Sequence, residues 1–215
     1  IAANKCIRRI KSHQQSVNSI SWYNGSVFAL SSADGTITLH DLTQKMSLLN
    51  TLTGHTDAVL NTVWSPEETP LYLASGGMDN IVNVWDARHM TSVSRPQLQY
   101  IDATAGVKAL AWCPFSTLNI LATGAGAGDG HLRLYDVSND LGLISGSKNS
   151  QNDIALPNSS SSHRSLQPLD SINTGSQITS VTIGQDDKEI VTTHGFASPQ
   201  RINCDTANSV RSDER

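Results

Sequence analysis

Three stretches of this chain are copies of one another, and a repeat limits the possible folds more than any single residue does. The first reads SHQQSVNSISWYNGSVFALSSADGTITLHDL from Ser12 to Leu42. The second reads GHTDAVLNTVWSPEETPLYLASGGMDNIVNVWDA from Gly54 to Ala87, and the third GVKALAWCPFSTLNILATGAGAGDGHLRLYDV from Gly106 to Val137. Trp22, Trp64 and Trp112 hold matching places, 42 and 48 residues apart. The closing dipeptides His40-Asp41, Trp85-Asp86 and Tyr135-Asp136 are 45 and 50 apart.

Within each copy the pattern is β. SVNSISW, AVLNTVW and VKALAW form a first strand, and VFALSS, LYLASGG and NILATG a second. A tight polar turn follows at Asp34-Gly35, Asp79-Asn80 or Asp129-Gly130, then a third strand, TITLHDL, IVNVWDA or HLRLYDV. MSLLNTL and PQLQYI supply weaker fourth strands, and no helical period competes over a comparable stretch. A period of about 40 to 45 residues belongs to a four-stranded propeller blade, and Gly54-His55 with Trp85-Asp86 favours WD40 over kelch, whose blades run to about 50. The fold class expected is therefore all-β, a partial WD40 β-propeller with about three complete blades and further incomplete ones.

The expected boundaries follow from these units. Residues 1–11 end a preceding blade, 12–53 and 54–101 are blades, and 102–140 holds the strands of a third. Residues 141–167, with SGSKNSQND and NSSSSHRS, bury too little apolar area to offset their ordering entropy and are expected as a disordered inserted loop. Residues 168–196 read as a degraded partial blade, with an outer strand, two inner strands and Ile183 in the tryptophan place. In 197–215 we expect a tail unrelated to the blade, with no third strand and no closing dipeptide. A ring left incomplete in this way should present raw blade faces and be poorly stable in isolation.

Composition narrows the function. The chain is 38% hydrophobic and 16% charged with a net charge of −4, a soluble globular balance without the basic footprint that nucleic acid requires. No apolar run approaches a membrane span, and the start lacks a signal-peptide core, so neither nucleic acid nor membrane is an expected partner. Cys6, Cys113 and Cys204 show no CxxC spacing, which leaves neither a zinc cluster nor a disulfide framework. No metal and no cofactor are expected.

His55, Ser75, Asp79 and Trp85 have the residue types of a hydrolase triad with an extra indole. Their recurrence in other copies, as His13, Ser32, Asp34 and His40 and in part as Thr123, Asp129 and Tyr135, favours a structural tetrad, since a catalytic set would occur once. There is no G-x-S-x-G elbow. TGAGAGDG, Thr123 to Gly130, precedes a strand and lacks a terminal Gly-Lys, so it reads as a hairpin turn and not a phosphate cradle. His194 has no second ligand at metal spacing. The chain is thus expected to bind and not to catalyse.

TLTGH, YLASGGMDNIVNVWD, the third copy, SQITSV and KEIVTTHGF together resemble the Fizzy and Fizzy-related family, activators of the anaphase-promoting complex. The resemblance spans Ser12 to Phe196 apart from the inserted loop. It implies a seven-bladed propeller that binds degron peptides, destruction boxes between two blades and KEN motifs on the central face. The implied partners are subunits of the complex and degron-bearing substrates, in nucleus and cytoplasm. Residue by residue, it implies peptide contacts from Asn80 and Gln177, whose amides both donate and accept. Met78 and Ala127 occupy further face positions where the family usually has polar side chains, a divergence that would suit a specialised, meiotic member. The alternative is a generic WD40 scaffold unrelated to ubiquitination.

Overall fold

The computed structural model describes residues 8–66, 72–88, 91, 95–101, 103–114, 119–141, 166–184 and 189–195, and the backbone of 200–205 and 209–212. They form four antiparallel four-stranded sheets. The first contains β1 (Val17–Trp22), β2 (Val27–Ser32), β3 (Thr36–Asp41) and β4 (Leu48–Thr53). The second contains β5 (Val59–Trp64), β6 (Tyr72–Gly77), β7 (Val82–Asp86) and β8 (Leu98–Tyr100). The third contains β9 (Val107–Trp112), β10 (Ile120–Ala125), β11 (His131–Asp136) and β12 (Asp170–Asn173). One helical turn, α1 (Val137–Asp140), follows β11, with the Asp136 side chain accepting from the Asn139 amide. The fourth sheet runs β13 (Ile178–Ile183), β14 (Glu189–His194), β15 (Gln200–Asp205) and β16 (Ser209–Ser212).

Each sheet is a meander, and its inner strand packs on the sheet before it. The apolar core is accordingly divided into three clusters between successive sheets. Ile37, Leu39, Val59, Trp64 and Trp85 fill the first gap, Tyr72, Val84, Leu110 and Trp112 the second, and Ala122, Leu132, Ile178 and Val181 the third. Burying each large side chain of this kind contributes about 1.5 to 3 kcal/mol. The inner-strand tryptophans also tie the sheets together: Trp64 donates its indole N–H to the Ser21 carbonyl at 2.9 Å, and Trp112 to the Val63 carbonyl at 3.2 Å. Ser21 and Val63 each precede a tryptophan, so both joints use equivalent atoms.

Two expectations change. The tail does contain a third and a fourth strand: Ile190 pairs with Ile202 and Cys204 with Val210, and the fourth sheet is completed. The unpaired N–H and C=O groups along the outer side of β14 accept any extended segment, and a closing dipeptide is not required for that. The strand expected to open the 168–196 unit is β12, which pairs with β11 and so belongs to the third sheet. Most of the expected inserted loop, 142–165, lies outside the described residues, as do 1–7.

Candidate peptide-binding face

The β6–β7 turn sets the geometry at one end of the second sheet. Asn80 has φ +65°, a left-handed conformation that asparagine tolerates. The Asp79 carboxylate closes the turn by accepting from the Ile81 amide at 3.2 Å and reaches across to the Thr56 amide at 2.9 Å. It also meets His55 Nδ1 at 3.0 Å, while His55 Nε2 lies 2.8 Å from Ser75 Oγ and Trp85 donates its indole N–H to the same hydroxyl at 2.9 Å. An ionised carboxylate only accepts, so Nδ1 donates to it and Nε2 accepts the serine proton; every member has a partner. Ser75 is fully buried and its oxygen is engaged on both sides, so no substrate carbonyl reaches it.

The other sheets solve the same problem with different groups. In the first, Asp34 meets His13 Nδ1 at 3.1 Å, and His13 Nε2, Thr38 Oγ1, His40 Nε2 and, through Nδ1, Ser47 Oγ continue the chain at 2.8, 3.0 and 3.2 Å. Ser32, expected in this set, is not its hydroxyl; it accepts from the Asp34 amide at 3.2 Å. The reason is register: Leu30 pairs with Thr38 as Ser75 pairs with Asn83, so Leu30 holds the Ser75 position and the neighbouring strand supplies the hydroxyl. In the third sheet Asp129 takes a two-pronged bond from Arg133, at 2.7 and 3.0 Å, and the Thr104 amide at 2.7 Å. Tyr135, also expected there, instead stacks on Tyr100 with ring centroids 3.9 Å apart. In the fourth sheet His194 bridges Ser176 Oγ at 2.7 Å and Thr192 Oγ1 at 2.9 Å.

These bonds govern ionisation. Burial alone would raise the three turn carboxyls, but it is outweighed. Thr36, the Gln14 amide and His13 hold Asp34 at about 2, His55 and two amides hold Asp79 low, and Arg133 with two amides holds Asp129 well below the carboxylate range. Burial pushes His40 below its ordinary value, helped by the His13 and Arg8 charges, and burial also lowers His194.

Around this frame the structure places the expected face residues. Met78 is half-exposed and its sulfur lies over Gly106, where an added Cβ would sit 2.8 Å from Sδ. Ala127 is exposed in the turn Gly126–Gly130, and that turn packs on Ala105 and Gly106 as well. Met78 and the Ala127 turn therefore flank one loop, which the sequence reading did not single out. Gln177 lies over Gly195, whose missing side chain makes room for it: a Cβ there would fall 2.0 Å from the Gln177 amide nitrogen. Asn80 is half-buried, and no hydrogen bond links these four residues to one another. Among the described residues no group of three or more His, Cys, Asp or Glu is placed to hold a metal.

Sheets repeated along the chain, joined by inner-strand indoles and pinned at their turns by aspartate, are blades of a WD-repeat propeller. The chain belongs to the WD domain, G-beta repeat family, which matches residues 4–41, 46–86 and 95–136. It is 32% identical over 203 residues to an Arabidopsis thaliana protein described as "Cell division cycle 20.5, cofactor of APC complex", covering 92% of this chain and 38% of that protein. It is 34% identical to the Saccharomyces cerevisiae "APC/C activator protein CDC20", over 83% of this chain and 25% of that one. The "WD repeat-containing protein slp1" of Schizosaccharomyces pombe is 33% identical over 88% of this chain and 32% of its own length. A chain of the "Crystal Structure of Mitotic Checkpoint Complex" superposes with a TM-score of 0.76 at 29% identity, over 97% of this chain and 54% of that one. The resemblance to Fizzy-type activators holds, and the chain spans a quarter to two fifths of the length of these curated relatives.

Proposed function

We propose that this chain is the substrate-recognising part of an activator of the anaphase-promoting complex, in nucleus and cytoplasm, binding degron peptides on its turn-bearing face without bond chemistry of its own. The observation that carries the proposal is the likeness, over nearly the whole chain, to proteins described as cofactors or activators of that complex. Asn80 and Gln177 are the amides that engage the peptide, while Met78 and Ala127 make its apolar border. That border distinguishes a specialised member, and we assign it to meiosis.

The test is fluorescence anisotropy with a Lys-Glu-Asn peptide and a scrambled control on the purified chain. Asn80→Gly is the informative variant, since glycine keeps the φ of +65° while removing the amide. One lost hydrogen bond worth about 1 kcal/mol weakens binding about fivefold. Equal binding of the two peptides would instead favour a scaffold unrelated to degradation.

A further inference from the structure

Both end sheets of this chain carry an unmatched half of a joint that the chain makes three times internally. Val17, Ile20 and Trp22 on β1 are 50%, 53% and 50% exposed. Their register counterparts, Val59, Thr62 and Trp64 on β5 and Val107, Leu110 and Trp112 on β9, are all at most 9% exposed, because each set is pressed on the sheet before it. At the other end, Ser180 and Thr182 on β13 are exposed. They stand where β1 has Ser19 and Ser21, the small residues that receive β5 and its tryptophan. One end is thus a knob face and the other a receiving face of the same design.

We infer that the two ends are complementary and that a second copy of this chain docks head to tail, its β1 against the first copy's β13, with the Trp22 indole donating to the Thr182 carbonyl as Trp64 donates to Ser21. Two copies of four sheets make eight, within the range of about four to eight blades over which propellers close. A head-to-tail contact of this kind closes into a ring when its rotation permits. Docking at both ends covers the apolar knob face and the receiving face of each copy together. This inference does not depend on the proposed degron binding.

The experiment is sedimentation equilibrium of the full chain from about 1 to 100 μM. A two-copy species that dissociates on dilution is expected; a monomer throughout, or growth past two copies, overturns the inference. Trp22→Asp and Thr182→Arg should each give monomers with an unchanged far-UV circular dichroism spectrum, which separates lost docking from lost folding. Mixing the two variants should restore pairs, since one joint then has both native faces and the substituted side chains of the other are oppositely charged. Pairing by either variant alone, or none in the mixture, refutes the head-to-tail arrangement.

Discussion

His194 in the fourth sheet stands at the register position of Gly77 in the second: His194 pairs with Ile178 as Gly77 pairs with Val59. The imidazole of His55 fills the space beside Gly77, so close that a Cβ on that glycine would lie 2.5 Å from Nδ1. In the fourth sheet the ring arrives from the strand itself, and the preceding loop supplies Ser176. A turn-end imidazole can therefore enter from two backbone positions, provided the other leaves room. Gly77→Ala should displace His55 from Asp79 and cost about 1 to 3 kcal/mol in denaturant unfolding; an unchanged midpoint would show that the space is slack.

The relay in the second sheet makes a sharper demand. Ser75→Ala strands a buried indole N–H and a histidine nitrogen, a loss of about 1 to 3 kcal/mol for each group left unsatisfied. Ser32→Ala in the first sheet should cost much less, while Thr38→Ala, which separates His13 from His40, should resemble Ser75→Ala. Urea midpoints of the three variants give the ranking, and a Ser32 effect as large as that of Thr38 would contradict it.

The repeat itself foretold the sheets, because the tryptophan spacing and the Asp-Gly turns are local signals. Strands β1 to β11 and the second-sheet set of His55, Ser75, Asp79 and Trp85 were readable in that way. The Ser32 assignment failed on a count that was visible: Ser75 lies four residues before its turn aspartate and Ser32 only two. Arg133 as the partner of Asp129 was hidden, because nothing in a strand residue's identity says that the opposite loop has lost its histidine. Strands β15 and β16 were missed because their pairing rests on backbone groups, which sequence motifs do not report.

Thr62 presents the opposite opportunity. It is buried between the first and second sheets, and its hydroxyl has no hydrogen-bond partner among the described residues. Leu110, Val181 and Ile20 hold the same place in the other sheets. Thr62→Val keeps the shape, removes the orphaned group and should stabilise the chain by about 1 kcal/mol. A lower thermal midpoint would mean that the hydroxyl is satisfied after all.

Arg133 and Asp129 form a pair whose carboxylate is 1% exposed. Removing the guanidinium leaves that charge buried, so Arg133→Met should cost about 3 to 5 kcal/mol. A double-mutant cycle with Asp129→Asn measures the coupling, and a value near zero would rule out a cooperative pair.

Acid should act in two waves. His40 and His194 are held below 6.5 in the fold, so the unfolded chain takes up protons first, and stability present above about pH 6.5 is lost as pH falls from there. Asp34, Asp79 and Asp129 are held below 3.8, so their contribution persists to about pH 4 and disappears toward pH 2. Urea midpoints at pH 7.5, 5 and 3 test the scheme; a rise between 7.5 and 5 would reverse the sign assigned to the histidines.

The third sheet draws its outer strand from far along the chain, since β11 ends at Asp136 and β12 begins at Asp170. What holds β12 in place is the ladder to β11, with Leu132 across from Ile172, and not a short hairpin. Because closure entropy grows only with the logarithm of length, doubling the intervening segment costs about 0.6 kcal/mol. Evolution and the experimenter alike can lengthen or shorten the chain there, or fuse a reporter into it, while the blade stays assembled.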